Sequence, residues 1–308
     1  MLRRFAVPIQ FALLALIWGS SFLFMKLALE GLSPSQVVAG RLGLGALTLV
    51  IVMVVTRRRW PRDGGFWARM VIVAMLLCVV PFLLFAWAGQ HIPSGLSSIY
   101  NATTPIMTLL VSLVALPDER LTPRRTIGVI IAAAGVVLVA APWTITGADG
   151  PVSLLAQLAC LGATLCYGVG IVAMRRIIRD RREDATTIAS VQVSIAAVVA
   201  LALVPVIGLA PIRLDAPVVV GIVLLGALGT GVAYVWSTRV VQVWGATRAS
   251  TVTYLTPLVG VVLGMLVLGE RLHWNEPVGG VVVLAGVLLA QLGTARRAPR
   301  PAPADELP

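Results

Sequence analysis

Ten charge-poor stretches of about 20 residues follow one another along the chain, each long enough to cross a hydrocarbon layer of about 30 Å. They cover roughly 6–29, 34–55, 68–90, 94–116, 124–142, 153–174, 185–209, 217–238, 246–268 and 275–294. The gaps are short, so no soluble domain is expected. With 58% of its 308 residues hydrophobic and 12% charged, the chain carries more apolar surface than one soluble core can bury. The expected fold class is all-α integral membrane, with ten transmembrane helices.

Arg3 and Arg4 ahead of an apolar run imitate a signal peptide. No small-residue cleavage site with a soluble remainder follows, so the first segment reads as an uncleaved helix. Cys78, Cys160 and Cys166 all sit inside apolar runs without metal or disulfide spacing, and read as packing residues. A net charge of +11 would point to nucleic acid in a soluble protein. Here the arginines cluster between spans, where the membrane accounts for them. The expected partners are the lipid bilayer and a small-molecule substrate, not nucleic acid. Residues 296–308 are Pro-rich and polar, and are expected to form a disordered cytoplasmic tail.

TYLTPLVGVVLGMLVLGERL, Thr253 to Leu272, nearly reprints YNATTPIMTLLVSLVALPDERL, Tyr100 to Leu121. Setting Pro105 on Pro257 and Glu119 on Glu270 also sets Gly128 on Gly279 and Gly135 on Gly286. Upstream the match is weaker, with Trp18-Gly19 on Tyr167-Gly168 and Arg41 on Gln192. One supersecondary unit is used twice. Each unit, 1–147 and 148–295, holds an odd number of spans, so the second enters the membrane from the opposite side and the five-helix repeats are inverted.

Basic residues agree with that parity, because cytoplasmic loops retain arginine and their twins on the other face lose it. RRRWPR follows the second span while its twin GLAPIRLDAP keeps only Arg213; EGLSPS has no basic residue while its twin reads RRIIRDRRED. With both termini in the cytoplasm, every basic residue except Lys26, Arg41, Arg213 and Arg271 falls on the cytoplasmic side.

Lipid offers no hydrogen-bond partners, so polar groups at membrane depth must face protein or a water-filled cavity. Pro105 and Pro257 lie at the centres of twinned spans and are expected to break the helices there, freeing the carbonyls of Asn101 and Thr253. Paired interruptions of this kind mark a midplane binding site. Asn101, Thr104, Thr108 and Ser112 recur at helical spacing, with Tyr100 one step away; around the second proline Thr253, Thr256, Gly260 and Gly264 form a narrower stripe, with Tyr254 beside it. Gly260 and Gly264 read as close-packing positions. Trp18, at mid-span rather than at a headgroup, either packs or stacks on a ligand; Ser21 shares its face, and Tyr167 repeats an aromatic ring at its depth. Arg41 either snorkels to the headgroups or holds an anionic substrate group, and Gln192 keeps polarity at its twin position. Lys26 reads as an anchor, and Glu119 and Glu270 as turn-fixing residues outside the spans. The expected substrate-binding set is therefore Trp18, Ser21, Arg41, Tyr100, Asn101, Thr104, Tyr167, Gln192, Tyr254 and Thr256.

No Asp or Glu lies in the interior of any span, His91 and His273 are isolated, and no phosphate-loop, metalloprotease or nucleophile-elbow motif occurs. Neither a catalytic centre nor a cofactor or metal site is expected.

These features resemble the EamA-type members of the drug/metabolite transporter superfamily. The resemblance rests on ALIWGSSFLFMK, the Arg41 region, TTPIMTLLVSLVALPDERLT with GVIIAAAGVVLV, and TPLVGVVLGMLVLGERL with GGVVVLAGVLLAQ, spanning about residues 8–292. It implies an inner-membrane secondary transporter exporting small metabolites, amino acids or drug-like compounds, with spans 5 and 10 peripheral to a central cavity. A lipid-carrier flippase is the alternative on the same fold, and an integral-membrane enzyme the other.

Overall fold

The computed structural model describes residues 2–116, 122–141, 153–179, 181, 183–207, 210–244 and 251–292. Glu119 and the 296–308 tail lie outside the described residues. Among the described residues, eight helices are long and apolar enough to cross a membrane: α1 (Val7–Leu29), α2 (Pro34–Val55), α3 (Gly64–Gly89), α4 (Ser94–Ala115), α5 (Pro123–Ala140), α6 (Leu154–Ile178), α7 (Ala185–Val206) and α8 (Ala216–Val240). Two shorter apolar helices follow, α9 (Val252–Leu268) and α10 (Asn275–Gln291).

Local sequence sets several of the helix starts. Ser33 and Gln36 form a reciprocal capping box ahead of Pro34, and Thr122 Oγ1 accepts the Arg125 amide ahead of Pro123. Gly269, at φ +64°, takes the left-handed turn that ends α9.

The packing comes in matched sets. α5 lies against α10, and α2 against α7. α1 packs on α9 as α4 packs on α6, and α1 meets α8 as α3 meets α6. Glycine permits the closest of these approaches. A Cβ on Gly19 would sit 2.5 Å from Val259 Cβ, and one on Gly168 would sit 2.9 Å from the Met107 carbonyl carbon. Along α5 and α10, Gly128 abuts Gly286 and Ala290 while Gly135 abuts Gly279 and Val283, so the two helices run antiparallel with backbones in contact.

Loops also meet in pairs. At one end Arg58 bonds Asp184, and Arg181 Nη2 donates to Asp63 Oδ2 at 2.7 Å, joining the 57–63 and 179–184 segments. The Phe66 amide at the start of α3, together with Arg181, holds the Asp63 carboxyl below the ordinary carboxylate range. At the opposite end the Arg213 amide donates to the Gly31 carbonyl at 3.0 Å and Gln36 Nε2 to the Ala210 carbonyl at 2.8 Å. Lys26, expected as a headgroup anchor, instead donates from Nζ to the Ile92 carbonyl at 2.8 Å.

Candidate functional site

Two proline-bearing helices and two π-helical turns shape the interior. The α4 span is in two pieces, Ser94–Asn101 and Thr104–Ala115, with Pro105 in the first turn of the second. The carbonyl of Asn101, which a mid-helix proline deprives of its amide partner, accepts the Thr104 hydroxyl at 2.8 Å. The same arrangement recurs in α9, where the Thr253 carbonyl accepts the Thr256 hydroxyl at 3.0 Å. A threonine one residue before each proline thus supplies the missing donor. The expected break at Pro257 is absent, since Val252–Leu268 runs through it as one helix. The same threonine-to-carbonyl bond accompanies a broken α4 and a continuous α9, so proline with its threonine permits a break without imposing one.

α3 contains a π segment at Met75–Val79 and α8 one at Leu224–Val232. Wide turns of this kind displace carbonyls and side chains from the regular ladder and often occur at functional positions. Both segments receive a polar side chain from the other half of the chain. Arg41 Nε donates to Thr230 Oγ1 at 3.0 Å, and Gln192 Nε2 reaches Cys78 Sγ at 3.1 Å. Cys78 and Thr230 stand the same interval apart in sequence as Pro105 and Pro257.

α9 packs on the Ser94–Asn101 piece of α4, whereas Thr104–Ala115 packs on α6. The two helices part at the break, and a cavity of about 460 Å³ lies where they diverge. Its aromatic border is Trp18, Phe22, Phe82, Phe85, Tyr167 and Tyr234; its polar border is Ser21, Arg41, Asn101, Thr104, Thr108, Thr253, Thr256 and Gln291. Trp18 is anchored by its Nε1, which donates to the carbonyl of Gly229 in the α8 π turn at 3.2 Å. Tyr167 stacks with Phe85 at 6.2 Å between ring centroids. Arg41 does not snorkel; its guanidinium lies over the Phe82 ring, 3.7 Å from the centroid.

Of the residues expected to bind substrate, Trp18, Ser21, Arg41, Asn101, Thr104, Tyr167 and Thr256 border this cavity, as does Pro105. Tyr100, Gln192, Tyr254 and Pro257 stand behind its wall. Tyr100 is fully buried and its hydroxyl bonds Gln157 on α6, because one residue along a helix turns a side chain about 100° from the face of Asn101. Gln192 is buried against Cys78, and Tyr254 bonds Gln291, which itself reaches the cavity.

Gln291 and Gly229 were not legible as site residues. Gln291 belongs to α10, a span expected to be peripheral, and Gly229 acts through a carbonyl that no side-chain pattern reveals. Glu270 was expected to fix its own turn. Its carboxylate instead accepts the Ser94 amide at 2.6 Å, the Ser94 hydroxyl at 3.0 Å and the Gly95 amide at 3.1 Å, capping the first piece of α4 from the far half of the chain.

Membrane-length helices around a cavity with a mixed aromatic and polar lining are the build of a multi-pass membrane transporter. The comparisons agree: the model of the EamA-like transporter family matches residues 7–141 and 154–292, and the chain belongs to that family. The uncharacterized transporter YdfC of Bacillus subtilis (strain 168) is 24% identical over 286 residues, covering 93% of this chain and 91% of its own. The uncharacterized transporter YvbV of the same organism is 25% identical over 284 residues, covering 90% and 89%. A crystal structure 16% identical in sequence has a TM-score of 0.63 over 91% of this chain and 98% of its own, a likeness of fold. The names these relatives carry are those of transporters rather than enzymes.

Proposed function

We propose that this protein is a secondary transporter of a bacterial-type inner membrane, exporting small metabolites, amino acids or drug-like compounds. Two inverted five-helix repeats, 1–147 and 148–295, with both termini cytoplasmic, rock about a midplane cavity to give alternating access. The observation that carries this reading is the composition of the cavity wall. Matched residues of the two halves, Trp18 with Tyr167 and Thr104 with Thr256, border the same space. The antiparallel contact of α5 with α10 supports the inversion, since a helix and its sequence twin related by a two-fold axis in the membrane plane must run oppositely. The meeting of the arginine-rich 57–63 and 179–184 segments supports a shared cytoplasmic side. Trp18, Ser21, Asn101, Thr104, Tyr167 and Thr256 contact substrate, while Tyr100, Gln192 and Tyr254 hold the wall.

Cells producing the protein should enrich one or more small metabolites in the medium relative to cells lacking it. Trp18→Ala and Asn101→Ala should reduce that enrichment by about tenfold each, as loss of a stacked ring or a buried hydrogen bond implies. Enrichment that survives both variants at full size rules out this cavity as the route. Topology is tested separately. Cysteines placed at Thr122 and His273 should differ in intact cells, with only position 273 reacting with an impermeant maleimide; equal labelling of the two rules out the inverted arrangement.

A further inference from the structure

Among the described residues, the border of the cavity carries one full charge and no carboxylate. Arg41 is the sole Asp, Glu, Lys, Arg or His on its border among the described residues. The guanidinium is fixed on two sides, by Thr230 on Nε and by the Phe82 ring beneath its plane. Its Nη1 and Nη2 groups have no hydrogen-bond partner among the described residues. Its electrostatic neighbours are the hydroxyls of Tyr167 and Tyr234 and the thiol of Cys78. A cation left unpaired at membrane depth is costly, and such residues as a rule face a partner or a substrate path.

The fork of free N–H donors has the geometry of a carboxylate, which takes two parallel bonds from one guanidinium. A single guanidinium matches a single negative charge, and the surrounding rings of Trp18, Phe22, Phe85 and Tyr167 suit a flat apolar body. An ammonium group would enter beside a fixed positive charge with no carboxylate on the cavity border to receive it, so amines and zwitterions are disfavoured for the same reason that anions are favoured.

We propose that Arg41 makes this cavity selective for monoanionic carboxylates bearing an aromatic body, over the corresponding zwitterions and amines. The inference rests on the cavity being the transport site. It assigns the two halves unequal roles, because Gln192, the twin of Arg41, carries no charge and is closed off against Cys78.

The test uses the full-length protein in detergent and three probes of one shape: 3-phenylpropionate, L-phenylalanine and 3-phenylpropylamine. Titration calorimetry should show the carboxylate binding at least about tenfold more tightly than the zwitterion, with no saturable binding of the amine, as one charge-assisted bidentate contact implies. Arg41→Gln should erase the preference, and Arg41→Lys should retain it with weaker binding. Thr104→Trp, which fills the cavity, should block the carboxylate. Equal or tighter binding of the amine or zwitterion overturns the inference on the wild-type protein alone, as does an undiminished preference in Arg41→Gln. If the carboxylate binds but Thr104→Trp leaves it untouched, the cavity reading itself fails. Binding of all three that Thr104→Trp abolishes overturns only the anion preference and leaves the cavity standing.

Discussion

Gly286→Leu should cost about 3 kcal/mol or more of stability and remove most of the monodisperse protein recovered in detergent, the effect of overpacking a tight contact. Even a single carbon on Gly286 would lie 2.4 Å from the Ala132 nitrogen and 2.6 Å from the Gly128 carbonyl oxygen. Both are backbone atoms, so no rotamer change relieves the clash and α5 must move away from α10. That movement reaches the cavity, because Gln291 lies five residues further along α10 and borders it. Gly43 is the matched control. It lies within α2 with open space where its Cβ would be, and Gly43→Leu should change stability by no more than about 0.5 kcal/mol. Thermal challenge followed by size-exclusion chromatography separates the two outcomes. Equal behaviour of the two variants would mean that the α5–α10 contact is looser than its geometry shows.

The glycines of that contact illustrate what the sequence reveals. Their seven-residue spacing and their repetition in both halves were plain, and so was the alignment of Gly128 with Gly279. Which glycine touches which was not, because a repeat sets equivalent positions side by side on paper while the folded helices bring Gly128 to Gly286. The site divides along a similar line. Polar residues at membrane depth announce themselves because lipid cannot satisfy them, which is how Arg41, Asn101 and Thr104 were found. Direction around the helix is harder to read. Asn101 and Tyr100 are neighbours in sequence with equal claims to polarity, and only the packing of α4 on α6 decides that one faces the cavity and the other Gln157. The π turns of α3 and α8 leave no mark on hydrophobic periodicity, so the Gly229 carbonyl that orients Trp18 had no signal to find.

Glu270→Ala should open the end of the bundle at which α4 and α9 are joined. The carboxylate ties the Glu-Arg-Leu segment of the second half to the start of α4 in the first by hydrogen bonds, receiving three donors there. Gly264 leaves room for it, since a Cβ at that position would sit 2.4 Å from Glu270 Oε2. Charge-assisted bonds at a half-buried helix N-terminus contribute about 2 kcal/mol together, so their loss should raise the separated population by roughly tenfold or more. Ser98 reports the change. It is 1% exposed, packed where α9 crosses α4, and its hydroxyl points at the Gly95 and Pro257 carbonyls. With the native cysteines replaced, Ser98→Cys should react slowly with an impermeant maleimide when Glu270 is present and about tenfold faster in Glu270→Ala, following the population shift. Glu270→Gln should fall between, because one amide oxygen cannot serve three donors. On the alternating-access reading this tie must break once in every cycle, so Glu270→Ala should also alter the transport rate while leaving the residues around Arg41 and Trp18 in place. Labelling of position 98 that is indifferent to Glu270 would show that the two helices are held by apolar packing alone and that the carboxylate does no more than cap a helix.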